Sequence, residues 1–278
     1  MTIRTISYGG GVQSTAMVVL AATRDPGFEE VMGGPVDAAL FANVGDDSEH
    51  PGSLEFVREH AIPWAAERGL AIHELHRVNR EGERETLWQR VFRDDYKTIA
   101  IPARGGNGAP LGRDCTNHFK VAVVAKWHRQ NGATRDNPAR VAIGISVDEM
   151  ERASGAKKGR PHEERVYPLL ELGFTRSDCH DIIRGSGLPT PRKSSCYFCP
   201  FHRPTTWSEM RRDEPTLFWQ SVALETKVNY KQALRERDPL YLTRFMRPLD
   251  EAIGEAQDQL PGFESIGEGG CDEGYCFT

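Results

Sequence analysis

The first segment that could do chemistry is a glycine-rich turn between an apolar strand pattern and an apolar helix pattern. The run is Ser7-Tyr8-Gly9-Gly10-Gly11-Val12-Gln13-Ser14-Thr15, directly after the β-rich residues Ile3 to Ile6. Glycines let a backbone approach a phosphate closely, and the first N–H groups of a helix have no partner within it. The helix dipole adds positive partial charge at the same place, and Ser14 and Thr15 can donate further hydrogen bonds. The turn predicts a phosphate site, with an ordinary strand-to-helix turn as the alternative.

The cysteines are the second set with chemical potential. Cys196 and Cys199 have the C-x-x-C spacing that lets two thiolates bind one metal centre. In an intracellular chain this spacing is more typical of a metal or redox site than of a structural disulfide. Buried, unreactive thiols are the alternative, because cysteine is among the residues most often buried. Cys179 lies in a polar helical pattern after Thr175 and is expected to be structural.

Cationic residues near loop-to-helix junctions could neutralise the charge of a triphosphate. The three candidates for this catalytic role are Arg113, Lys120 and Arg152. A guanidinium group offers a planar fork that can bind two phosphate oxygens at once. The alternative for each of the three residues is an ordinary surface ion pair.

Carboxylates at two further junctions could carry Mg²⁺, because this ion prefers oxygen ligands. These residues are Asp46, Asp47, Asp148 and Glu149. Helix capping is the alternative role for an acidic residue at the point where a loop leads into a helix. His118 and His128 are expected to have packing or surface roles.

The elements that must position these residues alternate between strand and helix patterns. Strands are predicted over residues 3–7, 36–42, 70–75 and 140–145, and helices over residues 13–23, 51–68 and 117–130. This alternation predicts an α/β fold with a doubly wound, mostly parallel sheet. Ligands of such sheets bind at the carboxyl ends of the strands, where the loops 7–15, 43–47 and 144–149 are expected to converge.

The second part of the chain has a different pattern. Beyond about residue 170 the sequence is helical and loop-rich, without repeats or low-complexity runs. We therefore expect a nucleotide-binding α/β domain over residues 1–170. A helical lobe with the C-x-x-C pair and an acidic, cysteine-containing tail is expected over residues 171–278.

Charge is distributed unevenly along the 278 residues, whose net charge is −5. Residues 151–212 hold twelve Lys or Arg against seven Asp or Glu. Such a basic segment could bind nucleic acid, and a solvated loop face is the alternative. The hydrophobic share of 38% suffices for a packed core, and no apolar run reaches the ~20 residues of a membrane span. We therefore expect a cytoplasmic protein with no membrane contact.

The glycine-rich turn resembles the pyrophosphate-binding loop S-G-G-x-D-S of the PP-loop ATP pyrophosphatase (adenine nucleotide alpha hydrolase-like) superfamily. The similarity is to the branch of phosphoadenosine phosphosulfate (PAPS) reductases and PAPS-reductase-like proteins of bacteria and phages. Aligned on the glycine pair, Gly9 stands at the family's Ser and Gln13 at its Asp. Five further segments resemble motifs of this branch in the same order, and with the turn they cover roughly residues 3–212. They are Phe41–Pro51, Arg113–Lys120, Gly144–Arg152, Tyr167–Gly173 and Lys193–His202.

The resemblance implies a HUP/PP-loop type of fold with an ATP and Mg²⁺ site. It implies that the phosphates lie on Ser7, Gly9, Gly10, Gly11, Gln13, Ser14 and Thr15, and that Asn43 and Gly45 lie beside the adenine and ribose. It also suggests a [4Fe–4S] cluster, with Cys115, Cys196 and Cys199 as ligands. The fourth ligand would be Cys276 or Cys271, or the fourth position would stay open to bind sulfur. Zinc, with His202 as a nitrogen ligand, is the alternative metal.

The functional hypothesis is an ATP-dependent nucleotidyl and sulfur transferase that modifies a nucleic acid. ATP would adenylate the acceptor, DNA or tRNA, with release of pyrophosphate. Sulfur would then pass through the iron–sulfur cluster from a donor protein such as a cysteine desulfurase. A homodimer is one candidate assembly.

Two alternative functions stay open at this point. One is the reduction of PAPS or adenylylsulfate, in which a cysteine of the tail Gly269–Cys276 attacks the sulfur of the substrate. The other is a non-catalytic module that binds a nucleotide or an iron–sulfur cluster and regulates or assembles a larger complex. The departures at Gly9 and Gln13 favour this second alternative.

Overall fold

The centre of the fold is a five-stranded sheet in which every neighbouring pair of strands is parallel. The computed structural model describes residues 2–95, 98–154 and 160–254. The strands are β1 (Arg4–Tyr8), β2 (Ala38–Asn43), β3 (Ala71–His76), β4 (Ala139–Ala142) and β5 (Glu163–Val166). Their order across the sheet is β3-β2-β1-β4-β5, so the chain builds outward from β1 in both directions. This is the doubly wound α/β arrangement predicted from the alternating pattern.

The helices are mostly short. They are α1 (Val12–Ala22), α2 (Pro26–Met32), α3 (Pro51–Glu55), α4 (Ile62–Ala66), α5 (Leu87–Phe92), α6 (Ala122–Gln130), α7 (Met150–Ser154), α8 (Pro168–Glu171), α9 (Arg176–Gly185), α10 (Pro204–Asp213), α11 (Pro215–Ala233) and α12 (Leu249–Ala252). Two π-helical segments, Phe56–Ala61 and Thr116–Val121, precede α4 and α6, and a 3-10 turn, Val147–Glu149, precedes α7. In the described part of the chain, no helix is both long and apolar enough to cross a membrane.

Strand β2 shows why the sheet needs helices on both faces. All six of its residues are buried. Ala39 and Phe41 belong to the core that includes α1 and α9, whereas Ala38 and Leu40 pack with Val124 of α6. Successive side chains of a strand point to opposite faces of the sheet. The sequence of a central strand that is covered on both faces is therefore a continuous apolar run.

The strands and helices predicted for the first 145 residues are all present. The helix predicted over 51–68 is a continuous helical stretch from Pro51 to Ala66 with a π-helical centre. The strand predicted over 140–145 already ends at Ala142, where the chain turns into a loop. Strand β5 has no counterpart among the predicted elements. It is an edge strand that pairs only with β4, and its half-exposed sequence Glu-Glu-Arg-Val lacks the apolar run of a central strand.

The described residues form two compact units. The first unit contains residues from 2–84 and 118–195, and it holds the whole sheet. The second unit contains residues from 85–117 and 196–254, and its regular elements are helices. The second unit thus combines a segment from the middle of the chain with the C-terminal part. The division at residue 170, which rests on the sequence pattern, stays a prediction.

The second unit is organised around the 19-residue helix α11. This helix packs against α5, α10 and α12 and buries Phe218, Leu224 and Val228. Near its end, the ammonium group of Lys231 donates hydrogen bonds to the carbonyl oxygens of Val91 and Arg93. The last carbonyl groups of a helix have no partner within it, so Lys231 satisfies the end of α5.

Glu225 is a carboxylate enclosed within the second unit. Its residue exposure is 3%. Its two oxygens accept hydrogen bonds from the backbone N–H groups of Leu242 and Leu249, both at 2.7 Å. Burial raises the pKa of Glu225 to about 7, although the two hydrogen bonds act in the opposite direction. Glu225 thereby joins the chain segment 242–249 to α11.

We expect the contribution of Glu225 to the free energy of unfolding to decrease as the pH rises from about 4.5 to about 7. The unfolded carboxyl has its ordinary pKa of 4.5, so the folded protein binds the extra proton between these values. This stabilisation is complete below pH 4.5 and lost above pH 7, a difference on the order of 3 kcal/mol. Urea unfolding at about pH 5 and about pH 8 measures it, with Glu225→Gln as the non-titrating control. The same pH dependence in both proteins would contradict the prediction.

Candidate functional site

The glycine-rich turn follows β1 and leads directly into α1. Gly10 has a φ angle of +72°, a left-handed conformation that residues with side chains rarely adopt. Gly11 is the N-terminal cap of α1 and is extended, and no side chain among the described residues caps the helix there. The first N–H groups of α1 therefore point at the turn, in the arrangement that binds an anion.

The hydroxyl groups of the turn are used within the fold. Ser14 donates a hydrogen bond to the carbonyl oxygen of Gly11 at 3.1 Å and accepts one from the N–H of Gly9 at 3.2 Å. Thr15 is fully buried, and its hydroxyl lies 3.4 Å from that of Tyr8. Ser14 therefore closes the turn, and Thr15 holds α1 against β1. The groups of the turn that could contact a phosphate are therefore the backbone N–H groups at the start of α1.

The loop after β4 lies against the start of α1. A Cβ atom at Gly144 would lie 3.1 Å from the backbone nitrogen of Ser14 and 3.2 Å from Cε of Met17. Strands β4 and β1 are neighbours in the sheet, so the loops at their carboxyl ends adjoin each other. Glycine at position 144 thus keeps the space beside the first nitrogen atoms of α1 open.

Gln13 and Glu149 form a hydrogen bond between the two loops. Nε2 of Gln13 donates to Oε1 of Glu149 at 3.1 Å, and the two residues are only 9% and 7% exposed. The neighbouring Asp148 has a different role, since it accepts a 2.5 Å hydrogen bond from the backbone N–H of Arg176 at the start of α9. Of these two acidic residues, Asp148 caps a helix and Glu149 lies at the glycine-rich turn.

A carboxylate at the position of Glu149 can serve as one ligand of a nucleotide-bound Mg²⁺ ion. Mg²⁺ in proteins usually keeps several waters and takes one or two carboxylates together with substrate phosphate oxygens. The side chain of Gln13 is an uncharged amide, so it cannot itself supply the negative charge of a metal ligand. The hydrogen bond from Gln13 orients Glu149, whose carboxylate can supply this charge.

Asn43 shapes the loop after β2. Its Oδ1 accepts a hydrogen bond from the N–H of Gly45 at 2.7 Å. Its Nδ2 donates to Asp46 at 2.8 Å and to Glu74 at 2.7 Å. Both polar atoms of Asn43 are thus used at the carboxyl ends of β2 and β3. Contact of Asn43 and Gly45 with an adenine or ribose stays a prediction.

An ionic network surrounds Asn43. Nη2 of Arg58 lies 2.9 Å from Oδ1 of Asp46 and 2.6 Å from Oε1 of Glu74, and Arg84 lies 3.1 Å from Asp46. The hydrogen bond from Arg58 lowers the pKa of Asp46 to about 2. Burial acts to raise the pKa of Glu74, but hydrogen bonds from Arg58 and Asn43 bring it below its ordinary value. Asp46 is therefore ionised and paired with arginines, which favours a structural role over metal binding.

A basic segment that the sequence analysis does not assign to the nucleotide site also lies at this end of the sheet. Oγ of Ser194 lies 3.1 Å from the position that a Cβ atom at Gly11 would take. Nη1 of Arg192 lies 3.1 Å from the corresponding position at Gly52, near the start of α3. The signal for this placement in the sequence is the pair Arg192-Lys193, two residues before the C-x-x-C motif.

The three candidate phosphate-binding cations belong to different units. Lys120 is in the first unit, where its Nζ lies 3.7 Å from Oε1 of the buried Glu49. Arg152 is in α7 of the same unit, and its side chain lies outside the described part of the structure. Arg113 is in the second unit. Contact of each of these residues with phosphate stays a prediction.

Cys196 and Cys199 lie in one hydrogen-bonded turn of the second unit. The N–H of Cys199 donates to the carbonyl oxygen of Cys196 at 3.1 Å, and the N–H of His202 donates to that of Cys199 at 3.0 Å. Both thiols are partly exposed, and neither is in a disulfide. Nε2 of His202 lies 2.9 Å from the carbonyl oxygen of Cys196, so this nitrogen holds the turn together. The turn therefore presents two thiols.

The segment that carries Cys115 lies against the same turn. The guanidinium groups of Arg104 and Arg113 both lie over the ring of Phe201, with distances to the ring centre of 5.6 Å and 4.5 Å. Such cation–π contacts are attractive because the face of an aromatic ring is electronegative. Phe201 comes two residues after Cys199, and Arg113 two residues before Cys115. The contacts bring both cysteine-bearing segments to one part of the second unit.

The described cysteines do not by themselves complete a cluster site. Within residues 2–95, 98–154 and 160–254, no three or more His, Cys, Asp or Glu side chains are arranged to hold a metal ion. Cys276 and Cys271, the candidate fourth ligands, lie outside the described residues. Cys179 is fully buried, and burial raises its pKa to about 12, as expected for a structural thiol.

His128 forms a buried polar contact on the α6 side of the sheet. Its Nε2 lies 2.9 Å from the hydroxyl of Thr5, and its Nδ1 lies 2.8 Å from Oε1 of Glu163. A hydroxyl, an imidazole and a carboxylate in this order are also the parts of a hydrolase triad. His128 is 0% exposed, however, so no substrate can reach it. Its role is to join β1, α6 and β5, in agreement with the predicted packing role.

Comparisons with known proteins add little to the structural evidence for the candidate site. No protein-family model matches the sequence, and no curated protein matches it. Among solved structures, the chain is similar to the U34-tRNA thiolase NcsA from Methanococcus maripaludis with its [4Fe–4S] cluster. The similarity covers 84% of this chain and 72% of the other, with 13% sequence identity and a TM-score of 0.42. At this level of similarity, the roles of that enzyme's residues do not apply to residues of this chain. The candidate site rests on the contacts described above.

Proposed function

We propose that this protein is an ATP-dependent enzyme whose glycine-rich turn binds the phosphates of the nucleotide. The observation that carries the proposal is the arrangement at the start of α1. The N–H groups there lie beside Gly144, and the carboxylate of Glu149 is held by Gln13. This combines an anion-binding helix end with a carboxylate that can bind Mg²⁺. The resemblance of the turn to the PP-loop motif also supports ATP as the bound nucleotide.

The proposed reaction transfers the adenylyl group of ATP to an acceptor. An oxygen of the acceptor attacks the α-phosphorus, and the bond from this phosphorus to the oxygen that bridges it to the β-phosphate breaks. Pyrophosphate leaves with the electron pair of that bond. The N–H groups of α1 would stabilise the charge of the leaving group. Catalysis of phosphoryl chemistry relies mostly on such positioning and charge stabilisation.

Cationic side chains would share in this stabilisation. Lys120, Arg152 and Arg113 keep this proposed role, and Arg192 joins them because its guanidinium group lies near the start of α3. Gly45, with its backbone at a φ angle of +132°, could present its peptide group to the adenosine.

We further propose that the acceptor is a nucleic acid, either DNA or tRNA, and that sulfur replaces the adenylated oxygen. A hydrosulfide nucleophile attacks the activated atom, the bond to the adenylated oxygen breaks, and AMP leaves with that electron pair. A sulfur-donor protein of the cysteine desulfurase class, with a thiol reductant, would supply the hydrosulfide. The excess of basic residues in 151–212 supports an acidic polymer as the acceptor.

The cysteines are proposed to bind a [4Fe–4S] cluster, with zinc as the alternative metal. Cys196 and Cys199 would be two ligands, and Cys115 and Cys276 would complete the set. The support is the two-thiol turn and the contact of Arg113 with Phe201. If the fourth position stays open instead of being held by Cys276, such a cluster would supply an iron that can bind sulfur.

Metal analysis of anaerobically purified protein tests this assignment. Iron and sulfide with a visible absorption band are expected in the unmodified protein. The double variant Cys196→Ser/Cys199→Ser should lose them, whereas Cys179→Ala should retain them, because Cys179 is buried in the first unit. A colourless protein with stoichiometric zinc would replace the cluster assignment by the zinc alternative.

Release of pyrophosphate from ATP tests the proposed reaction. We expect Mg²⁺-dependent release that increases when the correct DNA or tRNA is added. ATP binding without release in the presence of either acceptor would overturn the enzymatic proposal and favour a nucleotide-binding module. Production of sulfite from labelled PAPS in the presence of thioredoxin would instead favour the reductase.

A further inference from the structure

The second unit contains a groove with a volume of about 740 Å³. This volume is within the range of about 300–1,000 Å³ that is usual for small-ligand sites. Two arginines, Arg235 and Arg237, line it together with Gln232 and Asp114. Apolar contact area comes from the aliphatic residues Ile99, Leu111 and Leu240.

One wall of the groove is the end of α11. Glu236 has a φ angle of +53° and donates its N–H to the carbonyl oxygen of Ala233 at 3.1 Å. The N–H of Arg237 donates to the carbonyl oxygen of Gln232, also at 3.1 Å. In both hydrogen bonds, an N–H group after the helix donates to a carbonyl oxygen of its last turn. This pair of bonds commonly ends a helix at a residue in the left-handed conformation. The tight turn follows the end of α11 at Ala233 and brings Arg235 and Arg237 to the same groove.

The other wall is the segment that leads to Cys115. The N–H of Leu111 donates to the carbonyl oxygen of Ala103 at 2.9 Å, which closes a hairpin-like loop. Leu111 is 42% exposed, so its side chain is available to a ligand in the groove. Asp114 lines the groove and directly precedes Cys115 in the chain. The groove is therefore lined by the residue that precedes a cysteine of the proposed function.

We propose that this groove binds a short unpaired segment of the acceptor nucleic acid. Arg235 and Arg237 bind its phosphates or stack on its bases. Bases stack on guanidinium planes and also on aromatic rings. The aliphatic wall contacts the face of a base. The carboxylate of Asp114 accepts hydrogen bonds from an exocyclic amino group, as acidic residues do with cytosine. The chemical role of the groove rests on the proposed function, since it presents the bound nucleotide beside Cys115.

The charge and chemistry of the lining favour this occupant. Among the described residues that line the groove there are two arginines and one aspartate, and this positive balance suits a phosphodiester chain. A single-stranded nucleic acid supplies anionic, apolar and hydrogen-bonding parts together.

Fluorescence anisotropy with labelled single-stranded 12-nucleotide RNA and DNA tests the proposal. We expect the double variant Arg235→Gln/Arg237→Gln to bind the preferred oligonucleotide about 10–100-fold more weakly, because two phosphate contacts are removed. The slope of log affinity against log salt should fall by about 1.4, which is about 0.7 for each phosphate contact on a single strand. The variant Leu111→Glu, which adds a negative charge at an exposed position, should weaken binding without a change in thermal stability.

The matched control is Arg129→Gln/Arg135→Gln. It removes the same charge from two exposed positions of the first unit, and it should bind within about twofold of the unmodified protein. Equal affinity of the groove variants and the control would overturn the proposal. Loss of ATP binding in Arg235→Gln/Arg237→Gln would also overturn it, because the groove would then be a mononucleotide site. Pyrophosphate release is measured separately, so its absence would refute the proposed function while the binding result still decides the role of the groove.

Discussion

Replacing Glu149 with glutamine is expected to lower Mg²⁺-dependent pyrophosphate release about a hundredfold, the usual effect of removing one stabilising group at a reacting phosphate. Glutamine has nearly the same size, and its Oε1 can still accept the hydrogen bond that Gln13 donates at 3.1 Å. Only the negative charge is lost. ATP binding in EDTA should therefore stay within about twofold of the unmodified protein, because the N–H groups of α1 are unchanged. A radioactive pyrophosphate assay and equilibrium binding measure the two quantities.

The control for this variant is Glu151→Gln, since Glu151 is exposed in α7 two residues further along the chain. It makes the same chemical change and should keep at least half of the activity. A higher Mg²⁺ concentration should restore part of the activity of Glu149→Gln, because a missing ligand weakens ion binding. Equal rates for the two variants would rule out a metal-binding role of Glu149. No release by the unmodified protein would instead refute the proposed enzymatic function.

Replacing Gly10 with alanine is expected to destabilise the protein by about 2–5 kcal/mol and to weaken ATP binding at least tenfold. The φ angle of +72° costs a residue with a side chain about 1–2 kcal/mol. The new Cβ atom would also lie 3.0 Å from Cγ2 of Val57, and relief of such overpacking typically costs about 1–3 kcal/mol. The turn must shift to relieve this contact, and its shift moves the N–H groups that face the phosphates. Urea unfolding and ATP binding measure the two effects.

Gly173→Ala separates the backbone effect from the steric one. Gly173 has a φ angle of +73°, almost the same as Gly10, but apart from its chain neighbours no described residue has an atom within 4 Å of its Cβ position. We expect a loss of about 1–2 kcal/mol and no change in ATP binding. If Gly10→Ala binds ATP as tightly as Gly173→Ala, the glycine-rich turn is not the phosphate site.

The local parts of the fold could be predicted because their signals lie within a few residues of one another. The order of β1, turn and α1 follows from an apolar run, three glycines and a second apolar run within residues 3–22. Strand β5 could not be predicted in this way. It is an edge strand with exposed residues, and the pairing with β4 that makes it a strand depends on residues 24 positions earlier, such as Arg140 opposite Glu164.

The candidate site was only partly predictable for a similar reason. The turn from Ser7 to Thr15 could be identified, but its sequence does not reveal that Thr15 is buried against Tyr8 and that Ser14 bonds within the turn. These hydroxyl positions depend on how tightly α1 packs on β1. The place of Arg192 beside Gly52 likewise depends on the fold of a chain segment about 140 residues away.

The sequence by itself determined the class of fold and where a phosphate could bind, because strand, helix and turn preferences act over a few residues. Only the tertiary structure decided which side chains lie around this candidate phosphate site. Gln13 looks like the loss of a charged ligand when the turn is considered alone. It lies 136 positions from Glu149, and it is the pairing of β1 with β4 that brings the carboxylate to the turn. Contacts between residues so far apart depend on the packing of the whole sheet, which no local pattern of residues encodes.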